Sequence, residues 1–334
     1  MRSPAGSVHR LARGALQAAE AFALAHAATP LLRDLLGRAF TGLNVEATQD
    51  ELLHYVHLPL LLHAALTGDG APARPLVTVT TLIYLGADAF DDVLDGEQCA
   101  PSKSAPVNQI ELSAMSLWTV LPQLALSHMR TTPDTANSMR DTLTRGLQTM
   151  IEGQLADVAA AGTPFPDSEA VQATAEAKSG GELAMFARLT AELADMDREA
   201  IESCAEMGRA MGLAAQIASD CADIFQSEHS QDLATGTRTL PIALHLRGLS
   251  SDAHQRFLRL LDDARQDQEA QLAVRREMLA THCLRQCALI VEIEIQRALR
   301  HLAAVARFEQ PAQTLREWIE GIAFRERTSP TARN

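Results

Sequence analysis

PLVTVTTLIYLGADAFDDVLD, residues 75–95, decides the fold. Val77 to Thr81 are β-branched and favour a strand when read alone. The run passes without a turn signal into Ala87 and the acids that follow, so it predicts the buried start of a helix. Each residue of an α-helix turns the direction by about 100°, which leaves Asp91 and Asp95 about 40° apart, with Asp88 and Asp92 close by, all four within about 100° of one another. Four carboxylates then point one way. Like charges at this spacing repel, and burial makes each one costlier. Either water solvates the face or a cation occupies it. A hard cation such as Mg²⁺ suits the second case, because it takes carboxylate oxygens together with waters and phosphates.

The rest of the chain reads as helical too. It has 334 residues, 47% of them hydrophobic, a net charge of -13 and a pI near 5.3. That charge excludes a phosphate-backbone binder, which needs a basic patch. No apolar run is long enough to span a bilayer. The Arg- and Ala-rich N-terminus is interrupted by Glu20 and reads as an amphipathic helix rather than a transit peptide. Five cysteines, an odd number without a signal peptide, point to free thiols, a reducing compartment and a cytoplasmic protein. Cys283 and Cys287 share a helix face but lack partners for a zinc set, so they read as core. Helix starts are expected at Thr29, Thr132 and Pro166, where capping residues, prolines or acids precede periodic apolar residues. The expectation is one all-α domain, residues 1–325, of roughly ten helices, with a flexible tail at 326–334.

A second acidic group lies downstream. Gln216, Asp220 and Asp223 fall at i, i+4 and i+7 of an apolar helix, and Asp232 lies in the loop after it. Between the two groups, Lys178 stands among small and apolar residues. Asp262, Asp263 and Asp267 serve as a control. They are interleaved with Arg265, Gln266 and Gln268, and read as an ordinary wet surface.

These segments resemble the polyprenyl synthases, the isoprenyl diphosphate synthase family of all-α enzymes. DDVLD (91–95) is similar to the family's DDxxD, GQLADV (153–158) to its GQ-x-x-D, and AKSGGEL (177–183) to its KT-x-x-L. QIASDCADI (216–224) is similar to QI-x-DD-x-x-D, and DLATGTRTLP (232–241) to DL-x-x-GK-x-TLP. The resemblance implies the isoprenoid synthase fold, a single large helical bundle around a central cavity. It implies a prenyl diphosphate substrate, three Mg²⁺ ions with bound diphosphate, and a homodimer. It assigns metal binding to Asp91, Asp92, Asp95, Asp220 and Asp223. Lys178 and Gln216 contact the diphosphate, and Asp91, Asp92, Asp95, Asp220 and Lys178 carry catalysis. Gln154 and Arg238 complete the polar substrate contacts, while Phe90, Gly86 and Ala87 meet the prenyl tail. Small residues at 86 and 87 imply room for a farnesyl or geranylgeranyl chain.

The departures from the family pattern redirect the function. Elongating members hold isopentenyl diphosphate through a GK-R-x-RP segment. Here HYVHLP (54–59) puts Tyr55 at the lysine, and Val56 and Leu58 at the arginines. His54 and His57, mostly neutral at pH 7, do not replace permanent cations. Lys103 is the only base in the segment after DDVLD, Thr237 replaces the loop lysine, and Ser219 replaces the leading aspartate of the second motif. The implied reaction is Mg²⁺-dependent ionisation of an allylic prenyl diphosphate without isopentenyl diphosphate, that of a class I terpene synthase. The alternatives are a prenyltransferase, by elongation or with another acceptor, and a non-catalytic partner subunit. Tyr55, Tyr84, Phe90, Phe186 and Phe225 lie near the motifs and either face a carbocation or form core.

Overall fold

A computed structural model of the chain describes residues 5–46, 52–94 and 105–322. Asp95, Cys99, Lys103 and the 326–334 tail lie outside the described residues. Those described are all-α, with no strand among them. In chain order the helices are α1 (Ala5–His26), α2 (Pro30–Glu46), α3 (His54–Thr67), α4 (Arg74–Leu94), α5 (Val107–Met115), α6 (Leu121–Ser127), α7 (Pro133–Ala160) and α8 (Ser168–Ala175). Then come α9 (Gly181–Leu193), α10 (Arg198–Gln226), α11 (Gln231–Thr235), α12 (Leu240–Arg247), α13 (Ser251–Ala264), α14 (Gln268–Leu279), α15 (Cys283–Val305) and α16 (Glu309–Glu320). The expected starts hold. Thr29 Oγ1 accepts from Leu32 N–H at 3.2 Å, Thr132 Oγ1 from Thr135 N–H at 3.2 Å, and the Asp167 carboxylate from Glu169 N–H at 3.2 Å. Each thereby satisfies a first-turn donor.

The chain divides into two compact units. The first comprises Met1–Gln148, Leu183–Gly208 and His301–Leu315; the second Thr149–Glu182, Arg209–Arg300 and Arg316–Asn334. Each is assembled from segments distant in sequence, so no change of composition marks a boundary.

In the first unit α4 is helical as expected, although β-branched residues fill its first half. Leu76 to Ile83 are all buried, and packing overrides local propensity. Ala12, Ala15, Ala19 and Ala23 form a small-residue stripe on α1 and are all buried; α1 packs against α4. Pro59 lies inside α3 and has no N–H for the Tyr55 carbonyl. The Thr80 hydroxyl of α4 donates there instead, at 2.5 Å. Pro122 likewise leaves the Trp118 carbonyl without its α-helical donor, and Ser116–Val120 forms a π-helical turn.

In the second unit Phe257, Leu261, Val274, Met278, Ile217 and Ile224 are buried. Cys283 and Cys287 are core, as expected. The control acids behave as an ordinary surface. Asp262, Asp263 and Asp267 are exposed, and Asp267 caps α14 by accepting from Glu269 and Ala270 N–H at 3.0 and 3.3 Å.

Candidate active site

The first acid group stands at the C-terminal end of α4. Asp91 and Asp92 are half-buried and Asp88 is exposed. Half-buried Tyr84 shares their face, about 40° from Asp88 and about 20° from Asp91 around the helix. Gly86 and Phe90 fall outside this stripe of the helix. A Cβ on Gly86 would stand 2.4 Å from the Trp118 nitrogen and 2.6 Å from its Cα, so backbone of the π-helical turn already fills that room. The Phe90 ring packs on Trp118, with centroids 5.3 Å apart. Ala87 is half-buried. Tyr55 and Phe186 are core, at 1% and 0% exposure; Phe225 is half-buried on α10.

The positions where the family pattern places cations are interior. Tyr55, Val56 and Leu58 are buried. His57 is buried as well, and burial pushes its imidazole down to about 4, so it is neutral at pH 7 as expected. Its Nδ1 accepts the Leu53 N–H at 2.9 Å.

The second group lies in the second unit. Lys178 occupies a π-helical turn, Glu176–Gly180. Two glycines bring neighbouring backbones against this turn. A Cβ on Gly153 would meet Lys178 N at 2.8 Å, and one on Gly212 would meet the Ser179 carbonyl oxygen at 2.2 Å. Lys178 Nζ pairs with the Asp157 carboxylate at 2.6 Å, both side chains being less than a third exposed. Gln216 bridges the Ser179 hydroxyl, which donates to its Oε1, and Asp220, which accepts from its Nε2 at 2.7 Å. Burial, then Asp157 and Asp223, push the Asp220 carboxyl up to about 7 against the opposing pull of Gln216 and Lys178. Gln154 lies one turn before Asp157 on α7 and is half-buried.

Two expected site residues are tied up in the fold. Asp223 accepts from the Ser230 hydroxyl at 2.5 Å and from the Gln231 and Asp232 N–H groups at 3.1 Å each, which anchors the start of α11. Arg238 is buried and donates to the Thr163 and Gly236 carbonyls at 3.0 and 3.1 Å. Conversely, Asp157 and Ser179 were not picked out from the sequence. The signal for Asp157 was present as the final acid of the GQ-x-x-D segment.

Among the described residues, no group of three or more His, Cys, Asp or Glu side chains is arranged to hold a metal alone. Mg²⁺ still fits the donors present. It rarely occupies an all-protein cage and is held by one or two carboxylates, with phosphate oxygens and waters completing its shell. Hard carboxylate oxygens are what Asp91, Asp92 and Asp220 offer.

Among described helices none is long and apolar enough to cross a membrane. No protein of curated function matches the sequence. Solved structures do match the fold. A polyprenyl synthetase from Streptomyces coelicolor A3(2) superposes with a TM-score of 0.81 at 18% identity, covering 95% of this chain and 98% of that one. A geranylgeranyl pyrophosphate synthetase from Pyrococcus horikoshii Ot3 gives 0.80 at 18% identity, with coverage of 96% and 99%. A heptaprenyl diphosphate synthase from Staphylococcus aureus gives 0.78 at 14% identity, with coverage of 95% and 98%. The sequence model of the polyprenyl synthetases matches residues 60–278, more than half of the chain. By that match the protein belongs to the polyprenyl synthetase family.

Proposed function

We propose that the protein ionises an allylic prenyl diphosphate, farnesyl or geranylgeranyl, and releases diphosphate with an uncharged terpene product. The observation that carries this reading is the burial of Tyr55, Val56 and Leu58 beside a neutral His57. A second diphosphate needs charge-assisted donors, and apolar or neutral side chains occupy the positions where the family pattern provides them. In this reading Asp91, Asp92, Asp95 and Asp220 are metal ligands, and Lys178 and Gln216 hold diphosphate oxygens. Three Mg²⁺ ions, when bound, neutralise the leaving group as Lewis acids. Lys178 is oriented by its ion pair with Asp157, and Gln216 is oriented by Ser179. A prenyltransferase is the second reading, favoured by family membership and by the elongation enzymes among the similar structures. A homodimer is supported by exposed Val107, Leu112, Met115 and Val120, apolar residues that a second copy would cover.

The test is incubation with geranyl, farnesyl or geranylgeranyl diphosphate and Mg²⁺, with and without isopentenyl diphosphate, followed by diphosphate assay and mass spectrometry. Hydrocarbon or alcohol formed without isopentenyl diphosphate is the expected result. Longer diphosphates formed only in its presence would replace this reading with elongation.

A further inference from the structure

A cavity of about 420 Å³ opens in the second unit, between the loop after α7 and the turn that joins α12 to α13. It holds none of the residues assigned to the site above. Phe165, Pro166, Leu246 and Leu249 give it apolar walls, and Arg247 and Asp167 line it as charges. The loop is fixed at three successive residues. Gly162 N–H donates to the Gly236 carbonyl at 3.2 Å, Arg238 to the Thr163 carbonyl at 3.0 Å, and His254 Nε2 to the Pro164 carbonyl at 2.8 Å. The Phe165 ring lies on buried His254, with centroids 4.7 Å apart and planes 22° from parallel. It is nonetheless 67% exposed, which leaves its other face open. Arg247 Nη1 donates to the Ser168 hydroxyl at 3.1 Å, which holds the guanidinium at the cavity edge and uses one of its five N–H donors. Asp167 accepts from Glu169 N–H at 3.2 Å and so faces the first turn of α8.

The geometry points to this cavity as a binding site for a planar aromatic carboxylate. A preformed hollow of about 300–1,000 Å³ with apolar walls and a few placed polar groups suits a small molecule. Aromatic rings stack offset or edge-on with centroids about 4.5–7 Å apart, and the open face of Phe165 offers such a platform. The buried imidazole behind it, tied to the Pro164 carbonyl, braces that ring. The Arg247 fork matches a carboxylate through two parallel N–H···O bonds. Asp167 decides the charge of the ligand. A phosphate dianion would meet its carboxylate within the same cavity, whereas a carboxylate brings a single negative charge and is repelled less. The ligand is bound and released unchanged. The site is independent of the reaction proposed above, so binding is read without turnover.

The experiment titrates full-length protein with naphthoate and, separately, with naphthylmethanol, which keeps the ring and lacks the charge. Calorimetry and ligand-detected NMR follow binding. Naphthoate is expected to bind with a Kd of about 0.1–1 mM, the scale for a ligand of its size, and the alcohol about 10-fold more weakly. Phe165→Ala is expected to weaken both ligands by about 3- to 10-fold, and Phe165→Tyr, which keeps the ring, to stay within about 2-fold of wild type. Arg247→Gln is expected to weaken naphthoate about 10-fold and to leave the alcohol unchanged; Arg247→Met takes its place if the glutamine variant fails to melt cooperatively. No saturable binding of naphthoate to wild type would overturn the site. Affinities unchanged in both Phe165→Ala and Arg247→Gln would overturn it too, since the ligand would then lie elsewhere. Equal losses for naphthoate and the alcohol in Arg247→Gln would remove the ion contact, and with it the assignment of a carboxylate.

Discussion

Glu192 accepts hydroxyl hydrogens from Ser138 at 2.9 Å and Thr142 at 2.7 Å through one oxygen, while its other oxygen is buried without a partner. Burial raises its pKa above the ordinary 4.5, against the pull of the two hydroxyls and Arg188. A carboxyl raised on folding stabilises below its unfolded pKa, and the contribution is lost as pH rises through the folded value. Glu192→Gln removes the charge and keeps an acceptor, so it is expected to raise Tm at pH 7, with the gain vanishing by about pH 4. Thermal melts of both proteins across that range check this. At the proposed site, Asp91→Ala or Asp92→Ala is expected to cut diphosphate release at least about a hundredfold, the scale of losing a preorganised charge stabiliser. Near-normal rates in both would remove Asp91 and Asp92 from the site. These acids were legible in the sequence because helical spacing alone puts them on one face. The commitments of Asp223 and Arg238 were not, since their partners are loop backbone groups that no periodicity reveals.

At the level of elements, glycine marks where helices touch most closely. Gly153→Ala puts a methyl 2.8 Å from the backbone nitrogen of Lys178, which cannot swing aside. The expected cost is about 1–3 kcal/mol, and diphosphate release should fall beyond what the stability loss explains, because Lys178 moves. Gly37 is the control. A Cβ there meets only the Leu24 side chain, at 3.9 Å, so Gly37→Ala inside α2 should stabilise by up to about 1 kcal/mol. Urea unfolding of both variants separates the two cases. Gly86 shows the limit of reading small residues as open space. Its room is filled by a segment some thirty positions later, and the π-helical turn before Pro122 supplies that backbone. Caps, by contrast, depend on neighbours within one turn, and Thr29, Thr132 and Asp167 act where the sequence places them.

Across the whole molecule, two buried histidines should make the protein lose stability as pH falls from 6.5 toward 4. His57 in the first unit and His245 in the second are both pushed down to about 4, chiefly by burial. Each is neutral when folded and ionises near 6.5 when unfolded. The stability they contribute is therefore full above pH 6.5 and lost as pH falls toward 4, by on the order of 3 kcal/mol each. Melting temperatures from pH 7.5 to 4.5 are expected to decline through this window, and His245→Phe should flatten the decline; a flat profile in wild type would contradict it. The helical class, the order of the acidic segments and the loss of the cationic segment all followed from the sequence, because helix periodicity and charge are properties of neighbouring residues. Tertiary structure alone decided that Trp118 backbone fills the space at Gly86, that Asp157 holds Lys178, and that Phe165 rests on His254. Those outcomes depend on which distant segments meet and exclude water, and no local pattern encodes that.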